Sequence, residues 1–89
     1  MEFIWDDEDD QEGNLYHVLR HTEMKDARFI EAVFSTMSGD EAVWTAQRGG
    51  ETFYVMEKTY KRYLYKIVFQ SVGNCIRIKT AHRISKRSK

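Results

Sequence analysis

Three histidines are the residues of this 89-residue chain best suited to proton transfer near neutral pH. His17 and His21 are four residues apart, and Arg20 follows His17 by three. On a helix these spacings place the three side chains at neighbouring positions. The pattern predicts a proton-transfer or phosphate-binding edge; the alternative is a helix C-terminal cap and a packing residue. His82 is a further candidate acid or base, with an exposed residue at a strand end as its alternative.

Metal binding is not predicted. His17 and His21 have the spacing of a metal-ligand pair, but no acidic or cysteine third ligand is indicated. The single Cys75 cannot form an internal disulfide, and a buried place on a strand suits it better. We therefore expect no metal and no other cofactor.

Cations near the end of the chain could bind phosphate. Arg77 and Lys79 alternate on one predicted strand, with Arg62 on the neighbouring strand and Arg83 just beyond. Arginine suits this task because its planar fork can grip two oxygens and stays charged. We predict that these four residues and Arg20 bind RNA phosphates; the alternative for the strand residues is a solvated sheet face.

RNA is the substrate that these side-chain types suit. It can be cut without a metal when one group takes the proton of the 2′-hydroxyl, another protonates the leaving 5′-oxygen, and cations stabilise the phosphorane between them. Tyr60, placed in a predicted turn, is the candidate for stacking on a base. Tyr63 and Tyr65 share a predicted face with Ile67, so core packing is favoured for them.

Charge is divided sharply along a chain whose formal net charge is zero. All 14 acidic residues precede residue 58, whereas residues 58–89 contain ten of the 14 Lys and Arg residues. Such a basic half is typical of a surface that binds a polyanion. The alternative is internal neutralisation, with the acidic half lying over the basic half.

Length and composition indicate one globular domain, residues 1–89, with 42% hydrophobic residues. No run approaches the roughly 18 apolar residues that a membrane span needs. The acidic start is unlike a signal peptide. We expect a cytoplasmic protein that does not act at a membrane.

Two helices and five strands are predicted from periodicity. Apolar residues recur at helical spacing over 14–22 and 26–36, with Asp26 suited to a helix N-terminus. A short edge strand opens the chain, and four further strands are predicted near 41–47, 52–58, 62–71 and 75–81. Short connections imply an antiparallel meander. The predicted fold class is α+β, with two N-terminal helices packed on one face of this sheet.

Alternation assigns the faces of the last strand. Ile76, Ile78 and Thr80 are expected on the helix-covered face. Arg77 and Lys79 are expected on the other, with Ala81 beside them. The uncovered face is thus predicted to be mixed apolar and basic.

Several segments resemble the BrnT family of toxins from bacterial type II toxin–antitoxin pairs, which are small RelE-like ribonucleases. The matching segments are "FIWDDED", "GNLYHVLRH", "FIEAVF", "EKTYKRYLYKIVFQ" and "IRIKTAHRISKR". They cover nearly the whole chain in the family's order. The sequence departs from the family's pattern at Glu57, where glycine is expected, and at His82, where arginine is usual.

The resemblance implies a RelE-like sheet with a nuclease surface on its open side. It also implies a cognate antitoxin that covers this surface, in a toxin–antitoxin heterotetramer, with a homodimer as another possible assembly. The predicted function is that of a metal-independent ribonuclease toxin. The alternatives are a catalytically silent RNA- or antitoxin-binding protein and a purely structural interaction domain.

Overall fold

The structure is a computed structural model that describes residues 2–6, 13–19, 26–36 and 41–86. Its elements are β1 (Glu2–Ile4), α1 (Asn14–Leu19), α2 (Ala27–Ser35), β2 (Ala42–Arg48), β3 (Glu51–Tyr60), β4 (Tyr63–Val72) and β5 (Cys75–Lys86). The strands form one sheet in the order β1-β5-β4-β3-β2.

The sheet is mixed. Neighbours β2 to β5 pair antiparallel, as the short connections between them require. β1 pairs parallel with β5, with Glu2 opposite Cys75 and Ile4 opposite Arg77. The first residues of the chain thereby lie beside its last strand, and β1 is an edge strand as predicted.

The predicted fold class, an α+β RelE-like fold with two N-terminal helices on an antiparallel meander, is wrong. The described chain is mostly β, and its five-stranded sheet is mixed because β1 joins it in parallel. The two described helices are short, with six residues in α1 and nine in α2. No described helix is long and apolar enough to cross a membrane.

Helix α2 begins where the sequence indicates. The Asp26 carboxylate accepts a hydrogen bond from the Phe29 N–H at 2.9 Å, which satisfies one of the helix's free N–H groups. At the other end, Thr36 donates both its N–H and its hydroxyl to the Ala32 carbonyl. Asp26 is thus the N-cap.

The core lies between the helices and one face of the sheet. Val18 of α1 and Ile30 and Val33 of α2 are almost fully buried there. They pack against alternate sheet residues, which confirms the face assigned to Tyr65, Ile67 and Phe69. The remaining sheet residues of this core are Met56, Ile76, Ile78 and Ala81. The opposite face of β3, β4 and β5 carries no described helix except at its β1 end.

All three described hairpin turns contain left-handed backbone, and the β4–β5 turn has it at Gly73. Gly49 and Gly50 have φ values of 55° and 82°, which glycine adopts without steric cost. Lys61 and Arg62, at the β3–β4 turn, have φ values of 48° and 81°. A left-handed backbone costs a residue with a Cβ on the order of 1–2 kcal/mol, so this turn is locally strained.

A β-bulge in β5 changes which residues face the helices. Val68 pairs with Thr80 while the next residue, Phe69, pairs with Ile78, so Lys79 has no partner on β4. An extra residue reverses the alternation that follows it. The predicted faces of Thr80 and Ala81 are therefore wrong, since Ala81 is buried in the core and Thr80 lies on the open face.

Candidate functional site

The open face of the sheet has an ordered arrangement of side chains across its strands. One row is ionisable, with Glu57 opposite Lys66 and Lys66 opposite His82. The next row runs through four strands and is largely apolar. It consists of Trp44, Val55, Val68 and Thr80. The face therefore combines a charged strip with an apolar floor.

A groove with a volume of about 650 Å³ lies over these rows. Its aromatic side chains are Trp44, which is 42% exposed, and Phe53. Its cations and histidine are Arg48, Lys66, Arg77, Lys79 and His82. Aromatic rings that reach the surface beside several positive charges are typical of surfaces that bind single-stranded nucleic acids.

Lys79 is the extra residue of the bulge. It and Thr80, although adjacent in sequence, both line the groove. The Lys79 Nζ lies 6.0 Å from the centroid of the Phe53 ring. Among the described residues, neither Lys79 nor Lys66 forms an ion pair.

Arg77 forms a two-pronged ion pair with Asp6. Its Nη1 and Nη2 donate to Oδ1 and Oδ2 of Asp6 at 3.1 and 2.6 Å. Bidentate pairs of this kind are the strongest that arginine makes with a carboxylate. A phosphate would have to share or displace Asp6 to use the Arg77 fork.

The ion pair shifts both groups toward their charged forms. The hydrogen bond from Arg77, followed by one from the Asn14 N–H, holds the pKa of Asp6 below its ordinary value. The hydrogen bond to Asp6 in turn raises the pKa of Arg77. Because the pKa of Asp6 is lower in the folded state, the pair stabilises the fold above about pH 4 and loses its effect as pH falls through the lowered pKa.

Asn14 holds this end of the groove together. Its side chain accepts the Asp6 N–H at 2.7 Å and donates to the carbonyls of Ile4 and Ile78, each at 2.8 Å. Its own N–H donates to the Asp6 carboxylate at 2.8 Å. At 4% exposure, one asparagine joins α1 to β1 and β5 and fixes the carboxylate that faces Arg77.

The predicted phosphate cluster is only partly assembled. Arg77 and Lys79 both line the groove, as alternation indicates. Arg83 follows the bulge and pairs with Tyr65, whose side chain faces the core. The Cζ atom of Arg83 lies 4.1 Å from the centroid of the Tyr63 ring. Arg62 lies in the strained β3–β4 turn and is exposed, outside the groove.

Tyr60 does not occupy the predicted turn. It is the last residue of β3, and its ring meets those of Phe29 and Tyr65 at centroid distances of 5.7 and 6.3 Å. Alternation along β3 places it with buried Lys58 on the helix side. The aromatic side chains that line the groove are Trp44 and Phe53 instead.

The histidines are divided between described and undescribed parts of the chain. His82 lines the groove, because the bulge turns it to the open face. His17 belongs to α1, but its side chain is outside the described structure. His21 and Arg20 lie outside the described residues, so the predicted helix edge is not defined here.

Two described ion pairs join an early acid to a late cation. One is Asp6 with Arg77, and the other is Glu41 with buried Lys58, whose Nζ is 3.2 Å from the carboxylate and donates to the Phe34 carbonyl at 2.7 Å. Internal neutralisation therefore occurs, but it leaves Lys66 and Lys79 unpaired among the described residues.

Sequence reasoning missed several groove residues. Trp44 lies opposite Val55 on edge strand β2 and is 42% exposed, although a tryptophan on a strand more often packs in the core. Arg48 and Phe53 carried no signal beyond strand alternation. Gly49 and Gly50 lie between them and form the turn that pairs β2 with β3. This hairpin is the feature that indicates that Arg48 and Phe53 could line the same face of the sheet.

Within the described ranges, no three His, Cys, Asp or Glu side chains are grouped so that they could hold a metal ion. Comparison with known proteins gives no relative: no family, curated protein or solved structure matches this chain.

Proposed function

We propose that this protein binds single-stranded RNA in the groove on its open sheet face and cleaves it without a metal ion, as the toxin of a type II toxin–antitoxin pair. The observation that carries the proposal is the groove itself. Lys66 and Lys79, neither of which forms an ion pair with another described residue, flank an apolar floor that ends in exposed Trp44.

Binding follows from the order of the rows. A base lying on the apolar floor can stack on Trp44 or Phe53, and such stacking contributes about 1–3 kcal/mol per base. The flanking phosphates then come within reach of Lys66 on one side and Lys79 or Arg77 on the other. Stacking in the middle and cations at both ends suit a short stretch of unpaired RNA.

Cleavage needs proton transfer beside a bound phosphate. His82 lines the groove opposite Lys66, and an imidazole titrates close to neutral pH. It can protonate the leaving 5′-oxygen while Lys66 stabilises charge on the phosphorane. The 2′-hydroxyl is the nucleophile, so the proposed substrate is RNA rather than DNA.

The toxin–antitoxin part of the proposal depends on the sequence resemblance. The resemblance assigns a cognate antitoxin as the partner protein, in a heterotetramer, with a homodimer as the alternative assembly. The cytoplasm is proposed as the place of action because the acidic first residues are unlike a signal peptide. An antitoxin that neutralises the enzyme would cover the groove and place acidic side chains against Lys66 and Lys79. This complementarity follows from the charge of the groove.

A catalytically silent RNA- or antitoxin-binding protein is the second candidate. The Asp6–Arg77 pair favours it, because that pair occupies the arginine best placed to stabilise a transition state. This candidate keeps the binding surface and omits only the chemistry. The two therefore differ in products, not in affinity.

The experiment that separates them is incubation of purified protein with a fluorescent single-stranded RNA in EDTA. The ribonuclease predicts fragments ending in a 2′,3′-cyclic phosphate and no cleavage of DNA of the same sequence. Salt-dependent binding without fragments would establish the silent protein. Absence of both at low salt would leave only a structural role.

A further inference from the structure

We infer that Glu57 is the general base of the cleavage reaction, acting across Lys66 from His82 as the general acid. This inference rests on the proposed function and adds a catalytic residue to it. Glu57 is not among the residues predicted from sequence to transfer protons. The strand register identifies it, because it places Glu57 in one row with Lys66 and His82.

The register places these three residues side by side. Glu57 of β3 pairs with Lys66 of β4, which pairs with His82 of β5. Neighbouring strands are about 4.8 Å apart, so the backbones at Glu57 and His82 are roughly 9.6 Å apart. The three side chains are half-buried, and two of them, Lys66 and His82, line the groove.

All three side chains project from the open face. On β3, Met56 and Lys58 are buried on the helix side, so Glu57 between them points the other way, as Val55 does. Glu57 forms no hydrogen bond or ion pair with another described residue, and Ala42, opposite it on β2, has no group to bind it. Its carboxylate is available as a base.

The spacing suits in-line attack. The entering 2′-oxygen and the leaving 5′-oxygen lie on opposite sides of phosphorus, so the base and the acid must flank the phosphate rather than touch each other. Two groups on strands β3 and β5, separated by a cation on β4, meet that requirement. Lys66 is then placed beside the phosphorane oxygens, where negative charge develops.

The reaction balances with these groups alone. Glu57 takes the proton of the 2′-hydroxyl, the 2′-oxygen forms a bond to phosphorus, and the bond from phosphorus to the 5′-oxygen breaks. The 5′-oxygen takes a proton from His82 in its imidazolium form. The products are a 2′,3′-cyclic phosphate and a 5′-hydroxyl, and proton exchange with water restores both side chains.

The test measures the cleavage rates of two variants on each of two substrates. One substrate is an RNA dinucleotide; the other is a uridine 3′-(4-nitrophenyl phosphate), whose leaving group needs no proton. Glu57→Gln is expected to lose about 10²- to 10⁴-fold in rate on both substrates. His82→Ala is expected to lose a similar factor on the dinucleotide and to recover most of it on the aryl ester.

Glu51→Gln is the matched control, since it removes a carboxylate from the open face of the same strand and is expected to change the rate less than twofold. Glu57→Asp, which keeps a carboxylate, is expected to retain an intermediate rate. Thermal melts confirm folding of each variant.

Wild-type rates for folded Glu57→Gln would overturn this inference and leave the proposed ribonuclease intact. Recovery of Glu57→Gln on the aryl ester would also overturn it, because that result would make Glu57 the acid. If the wild-type protein cut neither substrate, the proposed function itself would fail, and the inference with it.

Discussion

Replacing Asn14 with leucine is expected to lower the free energy of unfolding by about 3–5 kcal/mol. The substitution leaves the buried carbonyls of Ile4 and Ile78 without their donor, and each unsatisfied group costs about 1–3 kcal/mol. It also removes the acceptor of the Asp6 N–H. Urea unfolding measures the loss.

Gln47→Leu, on exposed β2, is the control and should change stability by less than about 0.5 kcal/mol. A loss below about 1 kcal/mol for Asn14→Leu would contradict the account of how β1 is fixed. The Asn14 side chain joins β1 to β5 through the carbonyls of Ile4 and Ile78.

The second large effect is expected for RNA binding. Replacing Lys66 and Lys79 together with glutamine should weaken binding of single-stranded RNA by a factor on the order of 30, assuming about 1 kcal/mol for each lost contact. The slope of log affinity against log salt should fall by about 1.4, because each phosphate contact on a single strand contributes about 0.7. Fluorescence anisotropy at several salt concentrations measures both quantities.

The control is Arg28→Gln with Lys61→Gln, which removes the same charge from exposed positions on α2 and the β3–β4 turn. Its expected effect is less than threefold in affinity. Equal losses in the two double variants would show that RNA responds to overall charge and not to the groove.

The sequence predicts the local elements well. Alternation on β4 separates Tyr65 and Ile67 from Lys66, and the structure confirms this separation because a strand flanked by neighbours on both sides keeps strict alternation. The apolar residues at helical spacing in α2, with Asp26 just before them, also predict where this helix begins, because N-capping is a local interaction.

The mixed sheet could not be predicted in the same way. Three residues of β1 contain too little pattern to choose a partner strand, and their pairing with β5 depends on Asn14, whose side chain meets the carbonyl of Ile78, 64 residues away. An asparagine in a short helix gives no sign of such a distant contact.

The bulge at Lys79 is the other feature that sequence did not reveal. Because of the bulge, His82 lies on the open face and lines the groove, whereas Arg83 lies on the helix-facing side. No glycine marks the position. Bulges are frequent next to functional sites because they redirect a side chain, and here the extra residue is itself a cation of the groove.

Asp6 would compete with a bound phosphate for the guanidinium group of Arg77. Because the hydrogen bond from Arg77 holds the pKa of Asp6 below its ordinary value, the carboxylate is charged at neutral pH. Lys66 and Lys79 can therefore make the first contacts, and Arg77 joins only if the ligand displaces Asp6. Among the described acidic residues, Asp6 thus lies against Arg77 of β5, at one side of the groove.

Backbone amide NMR during titration with a short single-stranded RNA tests the central claim most directly. If RNA binds in the groove, the largest shift changes are expected on the open face, at Trp44, Val55, Lys66 and Thr80, with little change at buried Ile30 on the helix side. Changes confined to the helix side, or no changes at low salt, would contradict it.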